Sequence, residues 1–214
     1  VSAGQPVPRS LPRGRHAADR EVVLASQRGR LLEAMAACVA EQGYAATTVA
    51  DVIARAGVSR KTFYEQFSDK HACFLAAWES GFELLLGEVV KATAAVDGWE
   101  EQLRAGARVY LEVLAAAPAF ARSFLIEVLG AGEDALDRRA VLHARFADVI
   151  AAGYRAARAE DPSLGPLPDY IPQAAAGAVW ELTAEHVRTR GVDGIMELAP
   201  RIERIHRALA FGRY

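Results

Sequence analysis

The chain has 214 residues, 52% of them apolar, with 24% charged residues and a formal net charge of −2. That length is ample for a sizeable core in one large or two modest domains, and the near-neutral balance excludes a bulk polyanion binder. No apolar run approaches the ~18 residues a bilayer span needs and no hydrophobic leader core opens the chain, so a cytoplasmic protein with no membrane partner is expected.

Residues 1–20 hold three prolines and four arginines with little periodicity. They read as a flexible basic arm, which either follows a DNA minor groove or serves as a solubilising tail. A first helix is predicted from residue 21 or 26 to 42, with Leu31, Leu32, Met35, Cys38 and Val39 as its buried stripe and Gly43 as its stop. Cys38, like Cys73 further on, falls on an apolar face and reads as a buried, reduced thiol.

Residues 45–70 predict two short helices joined by a glycine turn, with a third following at once. Thr47 and Thr48 offer N-cap hydroxyls, and Val49, Val52, Ile53 and Ala56 recur at helical spacing. Gly57 suits a helix end that needs positive φ. Ser59 can cap the next helix, which carries Phe63 and Phe67 on one inward face, and Ser68 can cap the third. Arg60, Lys61 and Lys70 place cations in first turns, against the macrodipole, at roughly 0.3–1 kcal/mol each. A phosphate or a guanine edge would offset that cost. Residues 1–70 carry ten Lys/Arg against seven Asp/Glu, a balance of +3, whereas residues 71–214 carry fifteen against twenty, a balance of −5. That asymmetry suits a DNA-facing end and an acidic remainder.

These residues carry a resemblance. Gly43-Tyr44, Thr47-Thr48-Val49, Asp51, Ala56-Gly57-Val58-Ser59, Thr62-Phe63-Tyr64, Phe67 and Lys70 together resemble the DNA-binding domain of the TetR family of transcriptional repressors, over about residues 25–75. The resemblance implies an all-α protein: an N-terminal three-helix helix-turn-helix DNA-binding unit, plus a C-terminal helical bundle for effector binding and dimerisation. Arg60 and Lys61 are then expected at base edges, Thr62 at a base or phosphate, Tyr64 on the backbone, and Thr48 and Lys70 on flanking phosphates, with Gln66 a weaker candidate. Asp51 and Arg55 read as an i,i+4 surface pair. Ala50 departs from the pattern, since relatives often carry a basic or polar residue there, so little base contact is expected from the first helix of the motif.

A linking helix is predicted over 69–96, carrying Phe74, Leu75, Trp78, Phe82, Leu85 and Leu86. Asp97-Gly98 marks the boundary, giving an arm at 1–20, a DNA-binding domain at 21–70 and an effector-binding and dimerisation domain at 97–214. Further helices are predicted over 100–117, closed by Pro118, and over 119–129. Another runs over 133–160, with Leu136, Val141, Leu142, Phe146, Val149, Ile150 and Tyr154 inward. The last two span 169–190 and 194–211.

The Ala174–Ala178 run permits close helix approach, and Ile171, Ala175, Ala178, Val179 and Leu182 share its face. Leu198, Ile202, Ile205 and Leu209 stripe the final helix. The resemblance implies that this pair meets its two-fold mate in a homodimer; packing within one chain is the alternative. A small effector inside the bundle is also implied, with Tyr110, Phe120, Phe124, His143 and Trp180 as candidate contacts. Glu203-x-x-His206 has the spacing of a di-iron half-site, but no second pair accompanies it. No nucleophile elbow, P-loop or dinucleotide glycine pattern occurs, so no cofactor and no enzyme activity are expected. The proteins that would fit instead are a helical ligand binder without DNA activity and, more remotely, a metal-dependent helical enzyme.

Overall fold

The computed structural model describes residues 13–212, and these form helices joined by short turns. In order they are α1 (Arg13–Gln42), α2 (Val49–Ala56), α3 (Arg60–Gln66), α4 (Lys70–Ala94), α5 (Trp99–Ala116), α6 (Pro118–Leu125), α7 (Glu133–Glu160), α8 (Ile171–Arg190) and α9 (Ala199–Phe211). Two 3-10 turns, Glu127–Gly130 and Ile195–Leu198, precede α7 and α9. The all-α class is as the sequence indicates, and α7 has the predicted bounds.

Several boundaries differ. The first helix starts at Arg13, inside the stretch read as an arm, and the rest of that arm lies outside the described residues. The cap of α4 is Asp69, whose carboxylate accepts the Ala72 N–H at 2.8 Å, rather than Ser68. A carboxylate is the stronger acceptor, and it also suits the positive end of the helix. Pro118 opens α6 as its first residue instead of merely ending α5, because its missing N–H costs nothing there.

Helix α4 is the axis. Trp78, Phe82 and Leu85 are buried along it, and the Trp78 Nε1–H donates to the Phe124 carbonyl at 3.2 Å, tying α4 to α6. Helix α1 lies against α2, α4 and α6, so one core runs from the N-terminal helices into the bundle. The expected α1 stripe is buried at Leu31, Met35, Cys38 and Val39. On α7 the expectation fails at Leu136 and Val141, which are exposed, because that helix turns its small residues inward. Both cysteines are buried and free, and burial pushes the Cys73 thiol up to about 12, which removes thiolate reactivity.

Two glycines of α4 differ in surroundings. A Cβ at Gly81 would run into the Phe120 ring, whereas nothing lies near one at Gly87. Gly87→Ala should therefore stabilise by up to about 1 kcal/mol through helix propensity. Gly81→Ala should destabilise by about 1 kcal/mol, since overpacking of roughly 1–3 kcal/mol exceeds the same gain. Urea midpoints of the two variants moving in the same direction would contradict this.

Candidate DNA interface and ligand cavity

The helix-turn-helix is fixed by local chemistry. Thr48 and Asp51 form a reciprocal capping box: the Asp51 N–H donates to Thr48 Oγ1 at 3.2 Å, and the Thr48 N–H donates to Asp51 Oδ2 at 2.9 Å. Accepting bonds from the Thr48 hydroxyl and N–H, and one from Gln42, holds the Asp51 carboxyl below its ordinary range. Gly57 closes α2 at φ 62°, ψ 41°, and Arg30 of α1 donates to the exposed Ala56 carbonyl at 3.2 Å. Ser59 caps α3 by accepting the Thr62 N–H at 3.0 Å. Phe63 is fully buried and meets Phe67, which in turn carries the Arg28 guanidinium 4.5 Å over its ring. That anchoring leaves the opposite face of α3 to solvent.

Arg60, Lys61 and Tyr64 occupy that face. Arg60 forms no ion pair among the described residues, and its guanidinium lies 5.8 Å over Tyr64. Lys61 is 3.9 Å from Glu65, with its side chain 86% exposed, a pairing too long and too wet to hold it. The Thr48 hydroxyl is engaged, donating to Asp51 at 2.7 Å, and that of Thr62 lies 2.9 Å from Ser59 Oγ. Gln66 is half-buried. Lys70 has a task within the fold: its ammonium donates to the Tyr44 carbonyl at 2.9 Å and lies 4.4 Å over the Tyr44 ring. Arg55 pairs with Glu41 of α1 at 2.6 Å, not with Asp51, because α1 crosses closer than the next turn of α2.

A hydrogen-bonded seam joins these helices to the bundle. The Tyr44 N–H donates to Glu127 at 3.0 Å, and Arg122 holds the other oxygen of that carboxylate at 3.2 Å. Tyr44 Oη lies 2.7 Å from His71 Nδ1, and His71 Nε2 lies 2.6 Å from Asp134. With the phenol donating to Nδ1, Nε2–H donates to the carboxylate. That bond is the main reason the Asp134 carboxyl lies below its ordinary range.

Between them, α4, α5, α7, α8 and α9 line a cavity of ≈ 460 Å³ that opens to solvent past Val90, Ala94, Ala152, Gly153 and Ala156. Its walls include Val89, Leu103, Tyr110, Phe146, Ile150, Tyr154 and His206. No lysine, arginine, aspartate or glutamate lines it among the described residues. A second recess of only ≈ 20 Å³ adjoins it across Tyr110, Phe146 and Val179, and is lined by Phe124, His143 and Trp180. In that recess His143 Nε2 and Arg139 Nε are buried without a partner among the described residues. Burial, then the neighbouring Arg139, hold the His143 pKa below its ordinary value.

Residues 31–77 match the family described as bacterial regulatory proteins, tetR family. Structural likeness extends over almost the whole chain. A fatty acid degradation regulator, FadR, from Bacillus halodurans superposes with a TM-score of 0.78 at 15% identity, covering 84% of this chain and 94% of that one. FadR from Bacillus subtilis in complex with stearoyl-CoA gives 0.74 at 14% identity, covering 86% and 98%. A tetR-family regulatory protein from Rhodococcus RHA1 gives 0.69 at 20% identity, covering 86% and 97%. No curated protein matches the chain. Over residues 31–77 the chain carries a TetR-type domain, and its fold is the one those regulators share.

Within this TetR fold the anticipated contacts divide. Arg60, Lys61 and Tyr64 stand together on the exposed side of α3, whereas Thr48, Thr62 and Lys70 spend their polar atoms on caps and a turn. Of the residues expected to line an effector site, Tyr110 borders the large cavity. Phe124, His143 and Trp180 border the recess, and Phe120 borders neither, stacking on Phe124 5.0 Å away. Ala175, Val179, Leu198 and Ile202, named for a dimer face, are instead buried inside the protomer. Period alone did not separate the inward side of α8 and α9 from the outward one. Ile171, Ala178, Leu182, Ile205 and Leu209 keep solvent exposure. Sequence reasoning missed Trp99, Gln102 and His206 as cavity residues. The signal was present in α5 and α7, where Gly106, Ala107, Ala152, Gly153, Ala156 and Ala157 leave space that larger side chains would fill.

Proposed function

We propose that this chain is a cytoplasmic, ligand-responsive repressor that binds a palindromic operator as a homodimer. The observation that supports it most is the exposed α3 face: an unpaired arginine and a solvated lysine on a helix whose other side is locked by Phe63 and Phe67. Arg60 and Lys61 meet base edges, and Tyr64 meets the backbone. Thr48, Thr62, Gln66 and Lys70 add contacts at the margins. A single seven-residue helix touches too few bases for tight binding, so two copies share the operator, with the partly exposed Ile171, Ala178, Leu182 and Ile205 and the exposed Leu209 meeting the mate. The cavity receives a small, largely apolar effector, for its ≈ 460 Å³ falls within the roughly 300–1,000 Å³ of ligand sites. The effector acts by favouring a form in which the two α3 helices no longer match half-sites about 34 Å apart.

Selection of bound duplexes from a random pool tests this reading. A two-fold symmetric consensus is the expected result, and retention of no duplex favours a ligand binder without DNA activity. Arg60→Ala should then cost about 1–3 kcal/mol on the selected operator and relax preference at one position of each half-site. Lys70→Ala should weaken all duplexes alike. Equal, sequence-blind losses in both variants would overturn the assignment of Arg60 to a base.

A further inference from the structure

The cavity has one end with a polar character of its own. His206 of α9 and Tyr154 of α7 both line it, and their Oη and Nδ1 atoms lie 2.6 Å apart. Both side chains are more than nine-tenths buried. A phenol is the better acid of the two and an imidazole nitrogen the better acceptor, so the phenol donates to Nδ1. The ring proton is then confined to Nε2, which has no hydrogen-bond partner among the described residues and stays accessible from the cavity. Three other polar groups of the wall are engaged: Tyr110 with Thr183 at 3.0 Å, Thr93 with the Val90 carbonyl at 3.0 Å, and Gln102 Nε2 with the Val96 carbonyl at 3.3 Å.

Resting on the effector reading above, we propose that the ligand is an uncharged molecule with an apolar body and one hydrogen-bond acceptor, a carbonyl of ketone, ester or amide type, received by His206 Nε2–H. The acceptor is required because a ligand that displaces water from this N–H would otherwise leave it unpaired, which is costly. The absence of charge follows from the wall itself. With no cation lining the cavity, a carboxylate would be stripped of water without compensation. Burial also holds the His206 pKa down to about 4, so the ring does not become the missing cation at neutral pH. Tyr154 acts as a positioning residue: it fixes the tautomer and does not touch the acceptor.

The test compares 2-nonanone, nonane and nonanoate on the full-length protein at neutral pH. Headspace partitioning follows the two volatile probes and calorimetry follows the acid. The ketone should bind about tenfold tighter than nonane, the worth of one net hydrogen bond, and at least about tenfold tighter than nonanoate. His206→Phe should bring ketone and nonane within about twofold of each other while nonane still binds. Tyr154→Phe, which leaves the imidazole in place but frees its tautomer, should cut the ketone preference by about half or more. Nonanoate binding as tightly as the ketone, or a ketone preference unchanged in either variant, overturns the proposal. Failure of all three probes, nonane included, overturns the effector-cavity reading itself and this proposal with it, a result distinct from either.

Discussion

Phe63→Ala should cost about 3–5 kcal/mol and abolish operator binding while leaving the ligand cavity competent. Phe63 is fully buried, where α3 packs against α1 and α2. It stacks against Phe67 at 5.8 Å and Tyr64 at 5.3 Å, and its carbonyl accepts the Phe67 N–H that closes α3. A seven-residue helix has no stability of its own, since nucleation is unfavourable and isolated helices below about 12 residues are marginal. Its order therefore comes from this one side chain more than from any backbone bond. Amide exchange over residues 49–67 should accelerate in the variant, while α8 keeps its protection. Unchanged exchange in α3, or a loss of stability below about 1 kcal/mol, would show that α3 is held by something else.

The second large effect is a loss of stability in mild acid. His206 has its pKa lowered from 6.5 to about 4, with burial as the cause. Below about 6.5 the unfolded chain takes up a proton at this ring and the folded chain does not. Stability therefore falls as pH drops through the window from about 6.5 to 4, and levels off once the folded form also binds the proton. About 2.5 pKa units at 1.36 kcal/mol each amount to roughly 3 kcal/mol. His143, held low by burial and Arg139, pulls in the same direction. The carboxyls held low, Asp51, Asp69, Glu83, Glu101 and Asp134, pull the same way from about pH 5 downward, so the His206 share is the difference between the parent and a variant without the ring. Urea denaturation at pH 7, 5.5 and 4.5 measures the slope, which His206→Phe should flatten. An equal slope in that variant would place the acid sensitivity elsewhere.

The DNA-binding end was legible because its signals are local. A capping threonine, a positive-φ glycine and two phenylalanines four apart each act within one or two turns, and each does in the fold what its chemistry predicts. Partners distant in sequence were less legible, in the DNA-binding end as well as in the bundle. Arg55 was assigned to Asp51 by spacing, yet Glu41 reaches it from another helix. Lys70 is expected on a flanking phosphate, but its ammonium meets the Tyr44 carbonyl 26 residues away. The cavity was hardest to see. The chain marks it by what is missing, glycine and alanine on α5 and α7, and small residues also occur wherever helices pack closely. The lone Glu203-x-x-His206 spacing is set aside as a metal half-site, and nothing in it marks His206 as buried with its Nδ1 against the Tyr154 hydroxyl.

Helix α4 has a mechanical consequence. Its far end, at Val89, Val90, Thr93 and Ala94, is cavity wall, and its near end begins at the Asp69 cap beside α3. Between them Trp78, stacked on Phe124 and bonded to its carbonyl, is the natural fulcrum. At 1.5 Å per residue the arm from Trp78 to Ala94 is about 24 Å and the arm to Lys70 about 12 Å. A stiff rod on that fulcrum halves whatever swing the ligand imposes and reverses its sense. Play of an ångström or two among occupants would thus reach the operator side as a fraction of that, like a seesaw mounted off-centre.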